Sequence, residues 1–178
     1  MKLTLKLRIL ITTIVTLLVW AHILWDYFHG GIPTHYLFRD DNLPGIPNWL
    51  GGIVLPFFTW FLLYRIHKRI NNTEISIASK GIRVVIIRFL LAMTISIMIS
   101  IFFSFGIDVI DYIMLVIAIM AFIFPFYKSE YLLGWVVGST FTFGAMIPMV
   151  FGSLLALIFY LVYKLPRVII NYFQSKKP

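Results

Sequence analysis

Charged residues in this chain are confined to narrow bands. No Asp, Glu, Lys or Arg occurs in residues 9–25, 42–64, 89–107, 112–127 or 131–163. Runs of this length, built mainly from Ile, Leu, Val, Phe and Met, need lipid as their solvent. Only 12% of the residues are charged, against about 25% in a soluble domain. The expected fold is therefore all-α: a polytopic transmembrane helical bundle forming one integral membrane domain, 1–178.

A span needs about twenty apolar residues at about 1.5 Å each. Spans are expected at 9–28, 49–66, 82–105 and 107–127, with an external loop at 29–48. The run 131–163 reads in two ways. As one helix it would be about 50 Å long, far more than the roughly 30 Å hydrocarbon core. As two spans, 131–146 and 148–163, it would turn around Gly144 and Pro148. Charge separates these readings. With six spans and the N-terminus in the cytoplasm, fourteen of the fifteen basic residues lie inside and only Arg39 lies outside. With five spans, Lys164, Arg167, Lys176 and Lys177 move outside. The positive-inside rule favours six spans, both termini cytoplasmic and a tail at 164–178. Arg88 falls inside the third span and is expected to snorkel. The expected location is a cell membrane, the inner membrane in a bacterium.

Lys2, Lys6 and Arg8 before an apolar stretch have the look of a signal peptide. Trp25, Asp26, Tyr27 and Phe28 then stand where a peptidase needs small residues, so an uncleaved first helix is expected. The chain has no cysteine, which removes disulfides and thiolate chemistry. Walker A, G-x-S-x-G, dinucleotide-binding and zincin motifs are missing. The net charge of +8 comes from residues that punctuate apolar runs, so nucleic acid is not an expected partner. The expected partner is the lipid bilayer.

Chemistry is suggested in one place. Three of the four histidines and three of the seven acidic residues fall between His22 and Asp41. His22, Asp26 and His29 are spaced i, i+4, i+7, which places them on one helix stripe. Two imidazoles and a carboxylate suit a divalent metal such as Zn. His35 would be a fourth ligand or acid/base, and Asp40 or Asp41 a general base. Asp108 and Asp111, at another external helix end, would serve as alternative ligands or orient the first ones. Asp108 also reads as a helix cap. The alternative is a structural network in which Asp26 pairs with His22, His29 or Arg39. In either case the stripe should face the bundle interior, because an ionisable side chain facing lipid is costly.

Two glycine- and proline-rich loop segments, 30–34 and 42–49, look like shaped turns. Gly134 and Gly138 form a G-x-x-x-G pair, expected to pack closely on a neighbouring helix or to help line a polar path. Trp20, Trp25, Trp49, Trp60 and Trp135 read as interface anchors.

Two function classes remain. One is a divalent-metal-dependent membrane hydrolase or transferase acting at the external face on a lipid or lipid-linked substrate. The other is a small ion- or proton-coupled transporter, or an accessory assembly subunit, whose His/Asp network is structural.

Overall fold

The structure, a computed structural model, describes residues 3–36, 42, 44–71 and 75–175, with the side chains of His35 and residues 75–80 left aside. Six helices and one two-stranded hairpin are present among them. The helices are α1 (Leu5–Phe28), α2 (Trp49–Asn71), α3 (Ile75–Ser104), α4 (Ile110–Met120), α5 (Ser129–Phe143) and α6 (Met146–Ser175). Four stretches, Leu5–Phe28, Trp49–Asn71, Gly81–Ser104 and Met146–Ser175, are long and apolar enough to cross a membrane.

Local chemistry sets most helix ends. Thr4 caps α1 by accepting the Leu7 N–H at 3.3 Å. Gly30 and Gly31, at φ 124° and 98°, end that helix in a conformation that side chains disfavour. The chain then forms β1 (Thr34–Tyr36) and β2 (Gly45–Pro47), antiparallel, with Thr34 opposite Pro47 and His35 opposite Ile46. Asn48 closes the hairpin by donating its N–H to the Pro33 carbonyl at 3.0 Å.

Several expectations are refined here. The stretch 107–127 is helical only from Ile110 to Met120. Eleven residues rise about 16 Å, too little to cross alone. Pro125 lacks a donor and disfavours helical geometry at Phe124, so the helix does not resume toward Tyr127. Val109, not Asp108, is the cap residue of α4, and no side chain bonds there. The run 131–163 is divided at Gly144, which adopts φ 67° and ψ 170°. Pro148 then sits in the first turn of α6, where its missing N–H costs nothing. Beyond 163, helix α6 continues through Pro166 to Ser175, so the described part of the tail is helical.

Successive helices alternate in direction. α1 and α2 are antiparallel, with Leu3 beside His67 at one end and Ile23 beside Gly52 at the other. α3 and α5 are parallel, with Gly134 against Phe89 and Gly138 against Ser96. α5 and α6 are antiparallel, with Gly152 against Leu132 and Trp135. α5 is the hub, since it packs on α2, α3 and α6. Its glycines make this possible: a Cβ on Gly134 would strike the Phe89 carbonyl, and one on Gly138 the Ser96 hydroxyl and the Met93 carbonyl.

The distribution of polarity is inverted relative to a soluble protein. Thr59, Ser96 and Glu130 are wholly buried, while Leu17, Phe57 and Ile123 stand exposed on the outside. Such a surface suits contact with lipid tails. Arg8, Arg69, Arg88, Lys128 and Arg167 gather at one end of the bundle, and the hairpin covers the other.

Candidate functional site

At the hairpin end, His22 and Asp26 lie one turn apart on α1 and point the same way. Their side chains are 14% and 15% exposed, and His22 Nδ1 lies 3.7 Å from Asp26 Oδ1. Asn48, at the start of α2, donates its Nδ2 to Asp26 Oδ2 at 3.3 Å. The His22 ring stacks on Phe141 of α5 at 4.6 Å between centroids. Three elements therefore position this pair: α1 carries it, α2 orients the carboxylate, and α5 supports the imidazole. At 3.7 Å the two do not hydrogen-bond. His22 Nδ1 is buried and finds no hydrogen-bond partner among the described residues.

His29 stands apart from this pair. Helix α1 ends at Phe28, and His29 takes φ −119° and ψ 37°. Its ring stacks on Trp25 at 3.8 Å, and its Nδ1 bonds the Trp25 carbonyl at 2.9 Å. The i+7 position thus leaves the stripe because the helix stops one residue too early. His35 lies on β1, directly after the turn that follows α1, but its side chain is outside the described residues, as are Asp40 and Asp41 in full. Asp108 and Asp111 lie in the turn after α3 and in the first turn of α4. No ion pair links either to the α1 pair among the described residues. Among the described residues, no three His, Asp or Glu side chains converge as metal ligands would.

A second buried carboxylate occupies the basic end. Glu130, in the first turn of α5, is fully buried. Its Oε2 accepts from Arg69 of α2 at 2.7 Å, and its Oε1 from Arg88 of α3 at 3.1 Å. The pattern had read Arg88 only as a snorkelling cation. A cation one or two turns inside a span calls for an acid at the same depth, and Glu130 is the one carboxylate on α5. That signal was present in the sequence, but the parallel pairing of α3 with α5 was not. Nearby, Arg8 is buried with its guanidinium 4.2 Å from the centre of the Trp60 ring. His67 Nδ1 bonds the Leu3 carbonyl at 2.6 Å and fastens the N-terminus to α2.

Lys128 precedes α5 and faces this cluster. Partial burial, followed by repulsion from Arg88 and Arg69, holds its amine below the ordinary lysine value, with Glu130 opposing. Comparison of the chain with protein families, with curated proteins and with solved structures finds no match.

Proposed function

We propose that this chain is an integral protein of the cell membrane with six spans and both termini cytoplasmic, and that it is a divalent-metal-dependent hydrolase or transferase working at its external face. The alternating helix directions and the basic band at one end support the topology. The short α4 and α5 cross by drawing the bilayer in or by sharing the span with their flanking turns.

The observation that carries the functional reading is the unfilled gap between His22 Nδ1 and Asp26 Oδ1. Two ligand atoms about 2.1 Å from one tetrahedral Zn ion are about 3.4 Å apart. The separation of 3.7 Å in the structure is within a small side-chain adjustment of that. Asn48 holds the outer carboxylate oxygen, as a supporting partner of a metal ligand does. His35, Asp40 and Asp41, from the loop between α1 and α2, would complete the ligand set and supply the general base. His29 and the pair Asp108 and Asp111 are further donors near the same face. A bound divalent ion would polarise an ester or phosphoryl oxygen and acidify a water. A lipid or lipid-linked substrate would approach from the outer leaflet.

Metal analysis of the purified protein tests this. About one Zn or similar ion per chain is expected, lost in Asp26→Asn and in His22→Ala but kept when an exposed Leu17 is replaced. Metal-free protein that takes up no divalent ion on dialysis against it would sink the reading. A second reading, proton- or cation-coupled transport, draws on Thr59 and Ser100, whose buried hydroxyls lack partners in the bundle interior. Cation-dependent uptake by metal-free vesicles would favour it instead.

A further inference from the structure

A groove of about 80 Å³ opens between α3, α4, α5 and α6. Leu91, Ile95, Met114, Leu155 and Phe159 make it apolar, and Tyr131 and Trp135 of α5 line it too. It lies on the opposite side of α5's hub position from α2, toward the basic end, and does not involve the His22–Asp26 pair. One wall is lightly attached. Helix α4 is short, and α6 holds its far end through Arg167, which donates to the Phe122 carbonyl at 3.0 Å and the Ile123 carbonyl at 3.5 Å.

Two polar features interrupt this lining. The Trp135 indole N–H is buried and meets no acceptor among the described residues. Gly152 lets α6 close on that edge of the ring, for a Cβ there would come within 2.9 Å of Trp135 Cδ1 and 3.3 Å of Nε1. At the groove's end, the Arg88 guanidinium lies 5.8 Å from the Tyr131 ring centre. Arg88 shares Glu130, the one acid ion-paired there among the described residues, with Arg69, and Lys128 faces the same group. Arg88 and Lys128 together carry more positive charge than their share of that carboxylate offsets. Burial first, and then repulsion from Arg88 and Arg69, lowers the affinity of Lys128 for its proton; an anion beside it would offset the repulsion.

We propose that this groove binds an anionic phospholipid from the leaflet at the basic end. Its phosphate sits by Arg88 and Lys128, one acyl chain enters the groove, and an ester carbonyl accepts from the Trp135 indole. Trp135 is five residues beyond Glu130, about 7.5 Å deeper along the helix. Ester groups likewise lie below phosphates in a lipid. The cavity is about half the roughly 150 Å³ that takes up benzene in an engineered core. Part of one chain therefore enters while the rest lies along the open side between α4 and α6. Neither the charge excess nor the indole position depends on a metal at the external face.

The full chain, reconstituted in phosphatidylcholine vesicles, provides the test. The vesicles carry either phosphatidylglycerol or phosphatidylcholine brominated in mid-chain. Trp135 emission is taken as the difference between the parent protein and Trp135→Phe. Brominated phosphatidylglycerol should quench it more strongly than brominated phosphatidylcholine. Lys128→Gln should weaken that preference about fivefold, the share of one cation near a membrane surface. Equal quenching by the two lipids, or a preference untouched by Lys128→Gln, overturns the proposal. Native mass spectrometry of the unaltered chain needs no variant. It should retain phosphatidylglycerol over phosphatidylcholine, and equal retention again overturns the site.

Discussion

Each end of this bundle buries a carboxylate, and the two are treated differently. Glu130 has no exposed surface and both of its oxygens are occupied by arginines, one from α2 and one from α3. Asp26 keeps some exposure, holds Asn48 with one oxygen, and turns the other toward an imidazole nitrogen that has no hydrogen-bond partner among the described residues. The first arrangement is saturated and joins three helices. The second has coordination to spare. A buried polar network that is complete acts as a tie, whereas an incomplete one retains the cost of its unmet groups until something fills it. The proposed ligand site is therefore placed at the hairpin end, where the carboxylate is less fully paired.

Removing the carboxylate from the saturated end should have the largest effect. Glu130→Ala removes the carboxylate that Arg69 and Arg88 share. Losing one partner of a buried pair costs about 3–5 kcal/mol, and the lower figure applies here because Arg69 is 38% exposed. The thermal midpoint in detergent should fall markedly, and an unchanged midpoint would end the view of Glu130 as a tie. Glu130→Gln keeps some hydrogen bonding and should fall less.

Gly134→Ile comes next. Its side chain would push α5 off the Phe89 carbonyl of α3, one turn from Glu130. Overpacking of this kind costs about 1–3 kcal/mol. Arg88 should lose its register with Glu130 while the His22–Asp26 end stays intact. Metal content, read beside the thermal midpoint, separates the ends: stability should drop with metal binding retained. Loss of both together would show that the two ends are not independent.

Asp26→Asn reverses that pattern. The amide keeps a hydrogen bond to Asn48, so stability should change by about 1 kcal/mol or less, while metal binding is lost. A large drop in the thermal midpoint with metal content unchanged would make the hairpin end structural as well.

The smallest effect concerns pH. Because the Lys128 amine is held below its ordinary value of 10.5, it loses its charge at a lower pH than a free lysine does. The preference for anionic lipid should therefore decline as pH rises toward 10.5 and be fully present near neutrality. Lys128 is one of several cations at this end, so the decline should be partial. Lys128→Gln should flatten it. A preference constant up to pH 10.5 would remove Lys128 from the lipid site.

The helical class, the four long apolar helices and the division near Gly144 follow from composition and from local chemistry. Charge-free runs of Ile, Leu and Val have one solvent that suits them, and Gly144 with Pro148 marks the one place where the last run can turn. The i, i+4 pairing of His22 with Asp26 is equally local, because helix geometry alone puts both on one face. The loss of His29 from that face was not visible, since the last helical residue depends on where Gly30 and Gly31 begin to turn. Neither Asn48 reaching Asp26 across 22 residues nor Glu130 reaching Arg69 across 61 was marked by any motif. Those contacts come from which helices lie side by side. Hydrophobic periodicity says that a helix is buried but not against whom, because lipid and a neighbouring helix are nearly the same solvent for an apolar side chain. Gly134 and Gly138 showed that some helix approaches α5 closely. Only the packed bundle decided that it is α3, in parallel, and so that Arg88 meets Glu130.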